Sequence, residues 1–307
     1  MNTIETRKFD VTASFACIGA LIFWSLGPIF ITYLGGYVDS WTQNLLRYSV
    51  ACLFWLPFLV LSIRKKRLDK CVWQKALIPA AANLVMQSLW AASFYYIGPA
   101  FMVLLTKTNI IWIIGFSLIF FPEERTLAKS KRFWTGLGLS AVGLVGVMYF
   151  KTDLMESRTV IGIVMALMTA FAWGAYTVSV KIAFRDIDSR SGFAVISIYM
   201  VLGLGAAEIL FGKPSDCVRL GVLPWAAVVI SGILSIALAH VMYYAAIRRI
   251  GATIPALVIL AQPFIVLLIS HSVFGESLNV FQLSSGLILL TGAALAIYAQ
   301  QHLKRRL

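Results

Sequence analysis

Residues 98–124 read GPAFMVLLTKTNIIWIIGFSLIFFPEE, an apolar segment that is broken only by a short polar stretch around Lys107. Its apolar part, Ala100–Phe121, has about the length of 20 residues that a helix needs to cross the hydrocarbon core of a bilayer. A Gly-Pro pair precedes this part, and a proline with two glutamates ends it. The stretch therefore predicts a membrane-spanning helix that carries a cationic side chain at mid-membrane depth.

The whole chain has the same apolar character. Of its 307 residues, 60% are hydrophobic and 13% are charged, and the mean hydropathy is +0.86. Because about 25% of the residues of a soluble domain are charged, this composition excludes a soluble fold. The net charge of +13 could indicate a nucleic-acid partner, but the basic residues lie in short gaps between apolar blocks, so we expect none. Cysteines at metal-ligand spacing are also absent from the sequence, and we expect no metal and no cofactor.

Ten segments are long and apolar enough to cross a bilayer, which predicts an all-α integral membrane protein. They are Val11–Tyr33, Gln43–Ile63, Ala76–Tyr96, Ala100–Phe121, Phe133–Phe150, Val160–Phe184, Gly192–Phe211, Leu223–Ile247, Ala252–Val273 and Phe281–Gln300. The first segment is too long for the apolar region of a signal peptide, so we interpret it as a span.

Lysine and arginine are unevenly distributed over the connections, and this sets the expected orientation. The chain has 26 of them, and all but six lie on the side of the two termini. The six exceptions are Lys151, Arg158, Lys213 and Arg219 in the connections on the other side, and Arg47 and Lys107 within spans. Because short loops rich in lysine and arginine stay in the cytoplasm, we expect both termini to be cytoplasmic and the protein to lie in the inner (plasma) membrane.

The second half of the chain repeats features of the first half. The matches are Ile97-Gly98 with Ile250-Gly251 and Phe121-Pro122-Glu123 with Phe274-Gly275-Glu276 at an offset of 153 residues, and Trp24 with Trp173 and Gly143 with Gly292 at an offset of 149. They predict two repeats, 1–151 and 158–307, with five helices each. Because five spans are an odd number, the second repeat is inverted relative to the first, as in many secondary transporters.

These features resemble the EamA-like branch of the drug/metabolite transporter superfamily over nearly the whole chain. The resemblance is carried by the five-plus-five helices, by the Phe-Pro-Glu-Glu and Phe-Gly-Glu-Ser ends of the fourth and ninth spans, and by Gly143 and Gly292. It implies that spans 1–4 and 6–9 surround a central cavity, that spans 5 and 10 support them from outside, and that small metabolites or drugs are transported. The second repeat has no basic counterpart of Lys107, so the two halves differ in chemistry.

Polar residues at mid-membrane depth are the first candidates for a substrate site, because burying them in a bilayer is costly. Thr106, Lys107 and Asn109 lie in the fourth span, and Gln262, which aligns with Asn109, lies before Pro263 in the ninth. We predict that Lys107 binds a carboxylate or phosphate and that Gln262 lies at a helix broken by proline. The alternatives are a lysine that reaches outward to the headgroups and a simple packing kink.

Aromatic residues supply the other candidates. Trp24, Trp173 and Tyr176 are predicted to line the cavity near its middle, whereas Trp90 and its repeat counterpart Tyr243 are predicted gates at the outer and inner mouths. The alternative for each is an interfacial anchor that faces lipid.

Other polar groups within the spans are expected to be structural. Arg47 lies one turn inside the second span and is expected to extend to the headgroups, with Glu208 as a neighbour. His240 and His271 are expected to serve packing, and the glycines Gly143 and Gly146 are expected to allow close helix contacts.

The sequence thus predicts a secondary transporter that moves a small organic metabolite, with an amino acid or another carboxylate-bearing compound favoured, by alternating access. Two alternatives stay open: an exporter of hydrophobic or cationic drugs and a translocator of a lipid-linked substrate. The expected partners are the small-molecule substrate and the lipid bilayer, and a homodimer is left open. An intramembrane enzyme is disfavoured because no carboxylate pair lies in the middle of a span, so we expect no catalytic residues.

Overall fold

The computed structural model describes residues 11–122, 125, 129–150, 157–184, 187–250 and 258–304, and every regular element in these ranges is helical. The α-helices are α1 (Val11–Leu34), α2 (Ser40–Arg64), α3 (Cys71–Ser93), α4 (Pro99–Thr106), α5 (Asn109–Phe120), α6 (Lys131–Tyr149), α7 (Ser157–Ala183), α8 (Ser189–Phe211), α9 (Val222–Ser231), α10 (Ala239–Ile250), α11 (Gln262–Phe274) and α12 (Val280–Lys304). A π-helical segment, Gly232–Leu238, joins α9 to α10, and a 3-10 helix, Pro214–Arg219, precedes α9. The start of the predicted ninth span and the motif residues Glu123 and Gly251 lie outside the described residues.

Seven helical segments of the described chain are long and apolar enough to cross a membrane. They are α1, α2, α3, α4 together with α5, α7, α8, and the run from α9 to α10. The three other predicted spans coincide with helices α6, α11 and α12. The protein is therefore an all-helical, multi-pass membrane protein, and length and composition support seven of the ten predicted crossings.

Contacts between helices follow the repeat. The pairing of α3 with α7 has its counterpart in α1 with α10, and the pairing of α5 with α7 has its counterpart in α1 with α11. Helix α2 packs against its own counterpart α8, and α6 packs against α12. Helix α1 ends, and α7 begins, at the same face of the molecule, since Tyr95 hydrogen-bonds to Val38 and accepts a bond from Arg158. The first helices of the two repeats therefore run in opposite directions.

The connections at that face, which we call the sealed face, are joined across the two repeats. The Lys213 amide donates to Asp39 Oδ2 at 3.0 Å, and Asn279 Nδ2 donates to the Phe150 carbonyl at 2.8 Å. The opposite face, which we call the basic face, carries the exposed connection between α2 and α3 and the start of α8. There the Arg190 guanidinium lies 4.8 Å from the centre of the Phe58 ring.

Both members of one pair of equivalent spans are interrupted. Residues 107–108 form a turn between α4 and α5, and residues 260–261 form a turn before α11. The two turns coincide at the repeat offset of 153. At the first turn the Lys107 and Thr108 amides bond to carbonyls three residues earlier, at 3.1 and 3.2 Å, as in a 3-10 helix. The fourth span, predicted as one helix, is therefore two helices, and α11 starts next to Pro263 rather than kinking at it.

Glycine lets α6 and α12 approach until their backbones touch, as the sequence predicted. A Cβ added at Gly143 would lie 2.3 Å from the Leu289 nitrogen, and one at Gly292 would lie 2.4 Å from the Ser140 nitrogen. This close pair contributes no described residue to the cavities below. It supports the other helices from one side.

Candidate functional site

A cavity of about 260 Å³ extends from the basic face towards the middle of the helical bundle. Helices α1, α3, α7 and α10 and the start of α8 form its walls. The lining residues are Trp24, Met86, Trp173, Tyr176, Thr177, Val180, Lys181, Phe184, Ile187, Ser189, His240, Tyr243 and Tyr244. Four residues predicted from the sequence are among them: Trp24, Trp173, Tyr176 and Tyr243.

The inner end of this main cavity is a cluster of rings around Trp24. The centroid of the Trp24 ring lies 5.9 Å from that of Trp173, 4.7 Å from that of Tyr243 and 5.3 Å from that of His240. Edge-to-face and tilted contacts of this kind fix ring orientation. Residues of α1, α7 and α10, from both repeats, thus meet at one point of the cavity.

Two tyrosines form a polar bridge on the cavity wall. The hydroxyl groups of Tyr176 and Tyr244 are hydrogen-bonded to each other, and both side chains are buried. The bridge joins α7 to α10. Buried tyrosines offer a substrate both an apolar face and a hydroxyl group.

A second, smaller pocket of about 30 Å³ lies beyond the ring cluster. Its lining residues are Trp24, Gly27, Pro28, Arg47, Gln87, Trp90, Trp173, Ser235, Ile236, His240 and Gln262. Trp24, Trp173 and His240 line both spaces, so these three side chains form the partition between the main cavity and the small pocket.

Arg47 is the charged group of the small pocket, and the prediction that it extends to the headgroups is wrong. Its side chain is only 2% exposed. Its Nε donates to Ser231 Oγ at 3.0 Å, whereas its Nη1 is buried without a hydrogen-bond partner among the described residues. Glu208, the expected neighbour, instead accepts a bond of 2.7 Å from the Thr42 hydroxyl. Arg47 points inward because the π-helical segment packs against α2 and covers it.

Lys107 belongs to a hydrogen-bonded chain rather than to a cavity wall. Its Nζ donates to Gln262 Oε1 at 2.7 Å, and Gln262 Nε2 donates to the Trp24 carbonyl at 2.9 Å. Lysine 107 is 5% exposed and lines neither space, whereas Gln262 lines the small pocket. The chain therefore connects the interrupted fourth span to the partition through Gln262.

The remaining predicted residues lie at the edges of this arrangement. Thr106 is buried, and its hydroxyl donates to the Val103 carbonyl at 2.8 Å. Asn109 is half-buried at the start of α5, and neither residue lines a cavity. The two predicted gates are separated: Tyr243 lines the main cavity, whereas Trp90 lies at the small pocket, with its ring 5.9 Å from Trp173.

The described residues contain no group of three His, Cys, Asp or Glu side chains that could hold a metal ion. His240 Nδ1 lies 2.9 Å from the Ile236 carbonyl, and since a carbonyl only accepts, Nδ1 carries the proton of that bond. In the neutral form of the imidazole, Nε2 is then the acceptor nitrogen. The aromatic rings, the hydroxyl groups and the one guanidinium of the site can bind and orient a ligand.

Comparison with known proteins agrees with this architecture. A model of the EamA-like transporter family matches residues 11–149 and again residues 160–298. The chain belongs to the EamA-like transporter family. An uncharacterized transporter of Clostridium kluyveri is 24% identical over 257 residues, which cover 80% of this chain and 79% of the relative. One of Methanothermobacter thermautotrophicus is 25% identical over 203 residues, 62% of this chain and 54% of the relative.

A solved crystal structure has the same fold as this EamA-like transporter. It superposes with a TM-score of 0.66 over 96% of this chain and 99% of the other chain, at 18% sequence identity. At that identity the likeness shows the fold alone.

At the small pocket, the polar residues Arg47, His240 and Ser235 were not predicted as site residues. Arg47 and His240 were expected to be structural. In the main cavity Tyr244 was not predicted, although it neighbours the predicted gate Tyr243 in the sequence. For Arg47 the sequence indicates the depth in the membrane but not the direction in which the side chain points.

Proposed function

We propose that this EamA-like protein is a secondary transporter that carries a small organic metabolite with a carboxylate group, such as an amino acid, by alternating access. It works in the inner membrane, with the basic face and both termini in the cytoplasm, in keeping with the distribution of lysine and arginine. It is a transporter and not an enzyme. In this proposal the main cavity opens to the cytoplasm, as in an inward-open state.

One observation carries this proposal: the main cavity runs from the basic face to the aromatic partition, while contacts between the two repeats join the described residues of the sealed face. The main cavity reaches the basic face, and the aromatic partition closes its inner end. At the sealed face, the Glu276 carboxylate accepts hydrogen bonds from the Ala100 and Phe101 amides at 2.9 and 3.3 Å. These bonds hold the second repeat against the start of α4. Alternating access requires such one-sided closure around a central site.

The size and charge of the site support a small anionic solute. The main cavity of about 260 Å³ lies just below the usual range for pockets that hold drug-sized ligands, roughly 300–1,000 Å³. Arg47 and Lys107 are buried, and no described carboxylate forms an ion pair with either. A buried positive charge without a counter-ion attracts anions and repels cations.

A second candidate function, export of a hydrophobic compound, is favoured by the aromatic walls. Trp24, Trp173 and Tyr243 offer ring faces to an uncharged or cationic ligand. The two buried cations oppose the cationic variant of this function. The charge of the solute therefore discriminates between the two functions.

Counterflow into proteoliposomes tests the proposal. The panel contains amino acids, other carboxylates, sugar phosphates, quaternary amines and uncharged aromatic compounds. We expect accumulation of a carboxylate, and an uptake rate lowered about thirtyfold in Trp173→Ala, since the contacts with the Trp24 and Trp90 rings, about 1 kcal/mol each, no longer hold the partition in place. Trp134→Ala, a change at an exposed tryptophan of α6, is the matched control and should keep the rate. Accumulation of quaternary amines alone would instead establish the exporter of cationic compounds.

A further inference from the structure

We propose that Arg47 and Ser235 form a carboxylate-binding subsite in the small pocket, and that the carboxylate of the substrate binds there rather than at Lys107. The inference rests on the transport function proposed above and assigns the residue that recognises the anionic group. The remainder of the solute would stay in the main cavity against the aromatic rings.

The first argument is an unused donor. Arg47 Nη1 is buried and has no partner among the described residues, although Nε of the same group is held by Ser231 Oγ. A buried guanidinium N–H without an acceptor is costly, and a carboxylate is the acceptor whose geometry matches it best. The bond to Ser231 fixes the plane of the guanidinium, so that Nη1 is held in place before the ligand arrives.

The second argument is an unused hydroxyl group in the same pocket. Ser235 Oγ is also buried without a hydrogen-bond partner among the described residues, and the residue is 4% exposed. Ser235 and Arg47 come from different repeats, on the π-helical segment and on α2. Both residues line the pocket of about 30 Å³, and a polar ligand group that reaches their two unpartnered atoms would satisfy them.

The third argument is the π-helical segment itself. Gly232–Leu238 places Ser235 at the pocket, and Gly232 lets the segment approach α2, since a Cβ there would lie 2.7 Å from the Arg47 carbonyl oxygen. Insertions of π-helix into an α-helix are frequent at functional sites because they redirect side chains. Here the segment brings a hydroxyl group to a buried cation.

Lys107 lacks these properties. Its Nζ already donates to Gln262, and it lines neither space. Lys107 is therefore a positioning residue that holds Gln262 at the edge of the small pocket. Gln87, on the same pocket, completes the polar wall.

The size of the pocket selects the ligand group. The pocket is small, about 30 Å³, so a flat carboxylate suits it better than a bulkier tetrahedral phosphate. Only the side chains of Trp24, Trp173 and His240 separate it from the main cavity. An aromatic or aliphatic carboxylate of modest length can thus occupy both spaces when its carboxylate passes between these rings.

Thermal unfolding of the full-length protein in detergent, at constant ionic strength, tests the subsite with benzoate, benzamide and inorganic phosphate as probes. Benzoate should raise the melting temperature of the wild type, and benzamide and phosphate should not, because a ligand that binds only the folded state stabilises it. In Arg47→Gln the apparent affinity for benzoate should fall about tenfold or more, and Arg47→Lys should recover part of it. Arg190→Gln removes an exposed arginine at the basic face and should leave the apparent affinity for benzoate unchanged.

Ser235→Ala separates binding from folding. Since it removes a hydroxyl group that has no partner among the described residues, the melting temperature of the unliganded protein should stay unchanged or rise. The apparent affinity for benzoate should fall. Stabilisation by phosphate instead of benzoate, or loss of the benzoate effect in Lys107→Gln with its retention in Arg47→Gln, would overturn the subsite.

Counterflow with the same variants distinguishes the subsite from transport. Carboxylate flux that is unchanged in Arg47→Gln would refute the subsite and leave the proposed function standing. Benzoate binding that depends on Arg47, in a protein that moves no solute of the panel, would support the subsite and refute the transport function.

Discussion

Lys107 Nζ donates a hydrogen bond of 2.7 Å to Gln262 Oε1, and this bond joins the two interrupted helices of the molecule. Lys107 lies in the turn between α4 and α5, and Gln262 directly follows the turn at residues 260–261. At the repeat offset of 153, Lys107 corresponds to Leu260 and Gln262 to Asn109, so the bond connects the two equivalent interruptions through residues that are not themselves equivalent. The bond is therefore asymmetric, because neither Lys107 nor Gln262 has the same residue at the equivalent position of the other repeat.

We predict that Lys107 and Gln262 are energetically coupled. Gln262→Leu leaves a buried ammonium without its acceptor and should lower the free energy of unfolding by about 3 kcal/mol. Lys107→Met together with Gln262→Leu should recover most of this loss, because both polar groups are then replaced by apolar ones. Reversible unfolding of both single variants and of the double variant gives the coupling energy. Strictly additive effects would contradict the bond as the source of the loss.

Apolar blocks and charge distribution made the helical membrane fold predictable. Each block needed only length and composition to be recognised, and the glycines Gly143 and Gly146 of the fifth span correctly predicted close helix contacts. Of the two interruptions, the one before Pro263 was predicted from the proline, whereas the one in the fourth span was not. No glycine or proline marks the turn at Lys107 and Thr108, and nothing in Gly232–Leu238 distinguishes a π-helix from an α-helix, because tertiary packing decides both.

Site residues could be predicted only where the residue type and its depth in the membrane together limit the environment of the side chain. A tryptophan at mid-membrane depth, such as Trp24, has few stable positions other than a helix interface or a cavity. The direction of the Arg47 side chain was predicted wrongly because the same sequence allows an arginine near a helix end to face either lipid or protein. Only the contact between α2 and the π-helical segment decides the direction of its side chain.

The glycines of α6 differ in what surrounds them, and we predict opposite effects for two of them. Gly143→Ala should destabilise the protein by several kcal/mol or prevent its folding, because the new Cβ would lie 2.3 Å from backbone of α12. Gly138→Ala meets no atom within 4 Å and should be neutral or stabilising by up to about 1 kcal/mol. Melting temperatures of the two variants in the same detergent measure the contrast. Equal melting temperatures would mean that α6 and α12 are not in backbone contact.

Asp39 should make part of the stability depend on pH. Its burial alone would raise the pKa of the carboxyl group, but hydrogen bonds from Thr42, Lys213 and Trp41 lower this pKa on balance below its ordinary value of 3.8. Because the folded-state pKa is the lower one, the stabilisation is complete above the ordinary value and is lost as the pH falls through the folded-state value.

The wild type should therefore exceed Asp39→Asn in free energy of unfolding by about 1 kcal/mol at pH 7, and this difference should shrink as the pH falls below the ordinary pKa of 3.8. Denaturation of both proteins between pH 7 and pH 3 in an acid-stable detergent measures it. Comparing the two chains cancels the titration of the other carboxylates. A difference that stays constant over the whole range would show that the Asp39 carboxylate does not titrate with folding.

Glu276 links the two repeats at the sealed face. Its carboxylate accepts hydrogen bonds from the Ala100 and Phe101 amides at the start of α4, and the Ser270 hydroxyl also donates to it. Gly98 makes room for this contact, since a Cβ there would lie 2.2 Å from Glu276 Oε1. A carboxylate on the first amides of a helix is stabilised by those N–H groups and by the helix dipole.

Glu276→Ala should shift the protein towards a state that is open at the sealed face. Losing about 1 kcal/mol of this contact changes the ratio of the two states about fivefold. A cysteine replacing Ser235, in a chain whose four native cysteines are serine, reports the shift through its rate of reaction with a membrane-impermeant maleimide added at that face. Asp188→Ala removes the capping carboxylate of α8 at the basic face and is the control that should leave this rate unchanged. An unchanged rate in Glu276→Ala would show that other contacts keep the sealed face closed.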